Sequence, residues 1–224
     1  MRHQLIYTVL CSVVLSLVPS ARAADATTEA ADAAKAYVER LKAGDVKQAV
    51  IELWDADAML SSAFGLMYLE LPAAERQRAQ TAFAEFVAAP FANERVATMF
   101  KQMEIKDVAP TQVDASTVSV KLQVVGEGGN GKFNATNAML LVKTPKGWRI
   151  TDQRQGEAQP SIRAAMVMTY IGSAKGTGDS IPVVLERVAA ETRKRMEAAP
   201  AGGTTHPAAP AAGSQPGTTP SPGK

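Results

Sequence analysis

The chain has 224 residues, with 24 Lys and Arg against 22 Asp and Glu, 46% hydrophobic residues, one cysteine and two histidines. So even a balance gives no general attraction to nucleic acid or to an anionic membrane surface. One cysteine cannot form an internal disulfide, and so few soft or imidazole ligands exclude an ordinary zinc centre.

Arg2 and His3 precede an apolar run from Leu5 to Val18, followed by Pro19 and Ala21-Arg22-Ala23. A positive start, a short apolar stretch and a small-x-small site describe a secretory signal peptide, residues 1–23. The run is shorter than the roughly 20 apolar residues of a spanning helix. No later stretch is longer or more apolar, so no transmembrane segment is expected after cleavage. Cleavage removes Arg2, Arg22 and Cys11 but no acidic residue, leaving 22 basic and 22 acidic groups and no cysteine. The mature protein is expected to be exported, periplasmic or extracellular, and held together by its core alone. Residues 199–224 are mostly Pro, Gly, Ala, Ser and Thr, with almost nothing to bury, and read as a disordered tail. Residues 24–198 remain, enough for a domain of ordinary size.

Within that span the apolar period is first helical. Ala30, Ala34, Tyr37, Val38 and Leu41 share one face of a helix over Thr27–Ala43, which Gly44 ends. Asp45-Val46-Lys47-Gln48 reads as a capping box opening a second helix that buries Val46, Ala49, Val50, Leu53 and Trp54. Asp57 is placed to cap a short helix through Phe64, ended by Gly65. Pro72 opens a longer helix whose apolar face is Ala79, Ala82, Phe83, Phe86 and Val87, broken at Pro90. Asn93 caps another, burying Val96, Met99, Phe100 and Met103.

The period then changes to two. A short strand over Glu104–Val108 precedes a second in which Val118, Val120, Leu122 and Val124 alternate with polar residues. Gly126 to Gly131 turns the chain into a third strand, where Ala138 to Val142 is apolar on both faces and predicts cover on each side. Thr144-Pro145-Lys146-Gly147 predicts a type I turn with a bulge at Gly147, leading to Trp148-Arg149-Ile150-Thr151-Asp152. That register places Val142 opposite Ile150; a one-residue slip places Leu141 there instead. Ser161 caps a helix carrying Ile162, Ala165, Met166, Thr169 and Tyr170, and Gly172 to Gly178 is a loop. Asp179 or Ser180 caps a last helix burying Ile181, Val184, Leu185, Val188 and Met196, with Arg187, Glu191 and Arg195 along its solvated side.

The inventory limits the chemistry. After cleavage the one histidine is His206, in the tail, so neither a metal site nor a Ser-His or Cys-His nucleophile can be assembled. The Gly126–Gly131 loop joins two strands, whereas phosphate loops open onto a helix N-terminus. No cofactor is expected. Asp152, at the end of its strand, is the one carboxylate with a claim to proton transfer, set against the simpler reading that it ends a strand in a turn. Eight methionines from Met59 onward suit irregular core gaps and adaptable apolar pockets alike.

The order of elements resembles the NTF2-like cone, carried by Tyr37 to Trp54 and by Leu140-Leu141-Val142 with Gly147-Trp148-Arg149-Ile150-Thr151-Asp152. A narrower likeness is to periplasmic phospholipid-shuttle proteins of the Mla (toluene-tolerance) type, in Phe83-Ala84-Glu85-Phe86-Val87 with Phe91, in Trp148 to Asp152, and in Ser161-Ile162 to Tyr170. Gln159-Pro160 departs from that family's glycine-containing lead-in. The resemblance implies an α+β fold, with helices packed on a curved antiparallel sheet over residues 24–155 and a C-terminal helical extension over 156–198. It also implies a cavity for an apolar or amphipathic ligand such as a lipid, for which Phe83, Phe86, Met99, Met103, Met139 and Tyr170 are the lining candidates. The expected function is non-catalytic ligand binding, the alternatives being an assembly module that meets an envelope protein and a carboxylate-based proton-transfer enzyme.

Overall fold

The structure is a computed structural model that describes residues 25–128, 131–156, 158–174 and 177–199. The expected signal peptide, almost all of the expected tail and two residues of the glycine-rich turn lie outside these. Residues 25–42 form α1, closed by Gly44 at φ +82°, a left-handed conformation that favours glycine. Helix α2 (Val46–Leu53) follows directly. Asp45 does not cap it, because its carboxylate turns back to Arg40 at 3.1 Å, and Gln48 bonds Glu52 rather than the helix end. In α3 (Ala56–Phe64) the cap is Asp55, which accepts from the Ala58 N–H at 3.0 Å. Asp57, the expected cap, sits in the first turn and accepts from the Tyr68 hydroxyl at 2.7 Å. Gly65 (φ +55°) separates α3 from the one-turn α4 (Leu66–Leu69).

Helix α5 (Ala73–Ala88) starts after Pro72 and buries Ala79, Ala82, Phe83, Ala84 and Val87, with Phe86 half-buried at its margin. A 3-10 turn (Ala89–Ala92) holds Pro90, and Asn93 then caps α6 (Glu94–Lys101) by accepting from the Arg95 and Val96 N–H groups. The apolar face of α6 is only half covered; Met103, just beyond it, is buried. An amphipathic pattern sets which face a helix turns inward, but neighbouring elements set how deeply.

The strands are β1 (Glu104–Gln112), β2 (Thr117–Gly128), β3 (Gly131–Thr144) and β4 (Gly147–Gln155), antiparallel in the order β1-β2-β3-β4. Strand β1 runs four residues beyond the expected Val108, since an edge strand gains its ladder from β2 whatever its side chains. Its free edge carries Lys106, Asp107, Pro110 and a bulge between Ile105 and Asp107, features that discourage pairing with another chain. The β3–β4 hairpin adopts the slipped register: Leu141 faces Ile150, Val142 faces Arg149, and Thr144 faces Gly147. Pro145 and Lys146 alone form the turn, with Gly147 at φ +94°. Strand β3 is fully covered on one face only, through Asn137, Met139 and Leu141, while Ala138, Leu140 and Val142 are half-buried.

The helices lie on the inner face of the sheet and beside β4. Helix α1 crosses that face, with Glu29 bonding Lys143 and Trp148 at one end and Lys35 and Glu39 beside β1 at the other. The α2–α3 junction joins the β4 edge, where Trp54 bridges Ile150 and the Asp55 N–H donates to the Ile150 carbonyl at 2.9 Å. Helix α7 (Ile162–Ala174), longer at its C-terminus than expected, packs on α3 and β4. Helix α8 (Ile181–Ala198) lies along α5, burying Ile181, Val184 and Leu185 but leaving Val188 and Met196 half-covered. Ser180 precedes it without a side-chain cap, and Asp179 instead holds Arg187 at 2.6 Å. Arg187 is thus tied to the loop rather than left along a solvated face.

Candidate functional site

The inner face of the sheet is an apolar floor: Val118, Val120, Leu122 and Val124 from β2, Met139 and Leu141 from β3, Trp148 and Ile150 from β4. Strict alternation on β2 produces one half of it, and the hairpin register the other. Facing it are Tyr37 and Val38 from α1, Trp54 after α2 and Phe83 from α5, all in the same buried cluster. Three of these rings make an edge-to-face chain, Tyr37 to Trp54 at 5.9 Å and Trp54 to Phe83 at 5.5 Å. Burial holds the Tyr37 hydroxyl well above the ordinary phenol range, and the Trp54 indole offsets this only in part. The indole N–H makes no aligned hydrogen bond among the described residues.

Where α1 leaves the floor near β1, an open groove of 410 Å³ lies between Lys35 and Glu39 on the helix and Ile105 to Val108 on the strand. It is open to solvent, and four of its six lining side chains are charged. Ile105 and Val108 are half-buried, so the apolar floor comes to the surface here. The rim charges are engaged in part: Lys35 pairs with Asp32 and Lys106 with Glu104.

The six lining candidates are distributed unevenly. Phe83, Met103 and Met139 belong to the buried cluster, and Phe86 and Tyr170 are half-buried against it. Met99 is half-buried on α6 outside that cluster. The Tyr170 ring stands 5.2 Å from Phe64, edge to face, and its hydroxyl donates to the Asp179 carbonyl at 3.3 Å, on the α3–α7 side of the molecule.

Asp152 is fully engaged. A bulge between Ile150 and Asp152 puts Asp152 opposite Leu140, away from the floor, and brings Gln153 opposite Met139, on it. The Asp152 carboxylate accepts from the Gln153 N–H at 2.9 Å and the Arg163 N–H at 3.2 Å, and lies 3.6 Å from the Arg163 guanidinium. It seats the first turn of α7. Asp152→Ala is therefore expected to destabilise the protein by about 1–2 kcal/mol, the cost of one lost cap and a partly exposed ion pair. Urea unfolding would check it, and an unchanged midpoint would contradict this role.

Sequence reasoning missed the polar members of the floor. Asn137 could have been found, since it shares the alternation of Met139 and Leu141; Gln153 could not, because only the bulge turns it inward.

No protein-family model and no curated protein matches the chain. Solved structures do match it. A phospholipid-binding protein from Ralstonia solanacearum, in complex with a phospholipid, is 16% identical with a TM-score of 0.56, over 76% of this chain and 98% of that one. An aromatic ring hydroxylase-like protein from Novosphingobium aromaticivorans is 22% identical with a TM-score of 0.40, over 61% and 92%. A cystatin-like protein from Ruminococcus gnavus is 13% identical with a TM-score of 0.38, over 75% and 66%. The first likeness establishes a shared fold: helices on a curved four-stranded antiparallel sheet, an α+β cone.

Proposed function

We propose that this protein binds an amphipathic, lipid-like molecule between its sheet and helices, without transforming it, after export to the periplasm or the exterior. The observation that carries the reading is an apolar sheet face that surfaces at the α1–β1 groove, in a fold shared with a protein that binds phospholipid. The buried contacts between floor and helices are largely apolar, so an acyl chain entering there replaces apolar contacts in kind. Met59, Met103, Met139 and Met166 are buried in this layer and can repack around a chain of variable shape. The kinship with Mla-type shuttles and the removal of residues 1–23 belong to the same proposal.

Native mass spectrometry with lipid extraction tests it. The expected result is a co-purified lipid or fatty acid bound at a one-to-one ratio. A protein that arrives empty, and stays empty after incubation with phosphatidylglycerol vesicles and with free fatty acid, would overturn the reading.

A second reading, an assembly module for the cell envelope, is favoured by one further observation. Leu66, Met67 and Leu69 on α4 are 70%, 53% and 48% exposed, and Met168 and Ile171 on α7 are 50% and 63% exposed. Clustered apolar exposure of this kind marks contact surfaces. Replacing Leu66, Met67 and Leu69 together by Asp is expected to leave the melting temperature nearly unchanged while abolishing any association seen by light scattering. A parent protein that stays monomeric and retains no envelope protein would remove this reading.

A further inference from the structure

The apolar floor carries polar residues at its margins: Gln112 opposite Val118, Lys143 opposite Trp148, and a group of amides across β3 and β4. Across β3 and β4, Asn137 faces Gln155 and Met139 faces Gln153, so the Asn137 and Gln153 side chains are diagonal neighbours on the same face. Asn137 is 7% exposed. The side-chain carbonyl of Gln153 is fully buried and has no partner among the described residues. Around them are Leu122, opposite Asn137 on β2, and Met139, both essentially unexposed. One row further along, the buried Val124 faces the half-buried Ala135.

A buried polar group without a partner costs stability, and native structures retain few of them. Two neutral amides on neighbouring positions beside Leu122 and Met139, one with an unpartnered carbonyl, suit an uncharged polar group. The Gln153 carbonyl can only accept, whereas Asn137 can both accept and donate. The complementary chemistry is a hydroxyl, which donates to Gln153 and accepts from Asn137. The bulge directs Asp152 to Arg163, and Lys143 stands three rows away over Trp148, bonded to Glu29.

We propose that Asn137 and Gln153 form a hydrogen-bonding subsite that holds a neutral, hydroxyl-bearing group of an amphipathic ligand, such as the glycerol of an acylglycerol, with the acyl chain on the apolar floor. This rests on the ligand-binding reading above and adds the class of group recognised. Leucine is close in shape to Asn and methionine to Gln, so Asn137→Leu and Gln153→Met remove the polar atoms with little change of volume.

The test measures binding of two probes of equal chain length, a monoacylglycerol and a fatty acid methyl ester, to the parent and to each variant. The parent is expected to favour the monoacylglycerol, and each variant to lose about tenfold of that preference, roughly what one hydrogen bond supplies. Methyl ester binding is expected to stay within about twofold of the parent, and the melting temperature of Gln153→Met to stay level or rise, because an unpartnered carbonyl has been removed. A parent without preference for the hydroxyl probe overturns the subsite and leaves hydration of the two amides as their only use. Equal losses for both probes, or a lowered melting temperature with an unchanged preference, overturn it as well and assign the pair a packing role. A parent that binds neither probe overturns both the subsite and the ligand-binding reading.

Discussion

Replacing Trp54 by alanine is expected to cost about 3–5 kcal/mol, a large share of a typical domain's stability. Trp54 is 3% exposed and has ring contacts on two sides, Tyr37 from α1 and Phe83 from α5. Its backbone also bridges Ile150, so it is the point at which the helical layer meets the β4 edge. Truncation would leave a cavity that the surrounding rings cannot collapse into without breaking that bridge. Trp54→Phe is expected to be milder, because the indole N–H has no aligned partner to lose. Guanidinium unfolding curves for both variants would check this, with a large drop in midpoint for alanine and a small one for phenylalanine. Equal midpoints for Trp54→Ala and the parent would show that the helical layer does not depend on this ring.

The second large effect is expected at high pH. Tyr68 is fully buried, and that burial pushes its hydroxyl up to about 12, with Gln80 opposing the shift and Asp57 reinforcing it. Tyr37 is also raised, chiefly by burial. A group whose proton is held more tightly in the folded state contributes stability that is complete below its unfolded pKa, near 10, and is lost as pH rises above it. The unfolded chain can release both protons between about pH 10 and 12 while the folded chain resists, so unfolding becomes steadily more favourable across that window. Tyrosinate absorbance should therefore appear together with loss of structure. Tyr68→Phe and Tyr37→Phe each remove one such release, and the alkaline midpoint of each variant is expected to move upward relative to its own stability at neutral pH. Tyrosinate that forms while the fold persists would contradict the burial of these hydroxyls.

These predictions also show which features were legible in the chain. The order of helices and strands, the breaks at Gly44 and Gly65, the cap at Asn93 and the buried alternation from Val118 to Val124 follow from spacing alone. Local steric and hydrogen-bonding rules act over a few residues, and those residues are contiguous. The capping box at Asp45 failed because Arg40 is a stronger partner for its carboxylate than free N–H groups, and that pairing depends on how α1 and α2 meet. The candidate site was legible only in part. Phe83, Met103 and Met139 could be placed in the buried layer from periodicity, but nothing in their spacing indicated that Tyr170 lies with Phe64 or that Met99 stays outside the cluster.

The sharpest division runs through the β3–β4 hairpin. By itself the sequence determined that two strands meet at Pro145 and Lys146, that Trp148 and Ile150 face inward, and that the chain forms an α+β layer structure. These depend on alternation and turn chemistry, which are properties of the strand itself. Which residue opposes which was decided only by the tertiary structure, because the slipped register depends on a partner strand and the bulge after Ile150 on what covers each face. The bulge reverses the parity of everything beyond it. It sends Asp152 to the start of α7 and turns Gln153 toward Asn137, so the most promising acid in the sequence became a structural anchor and an unremarked amide became part of the floor.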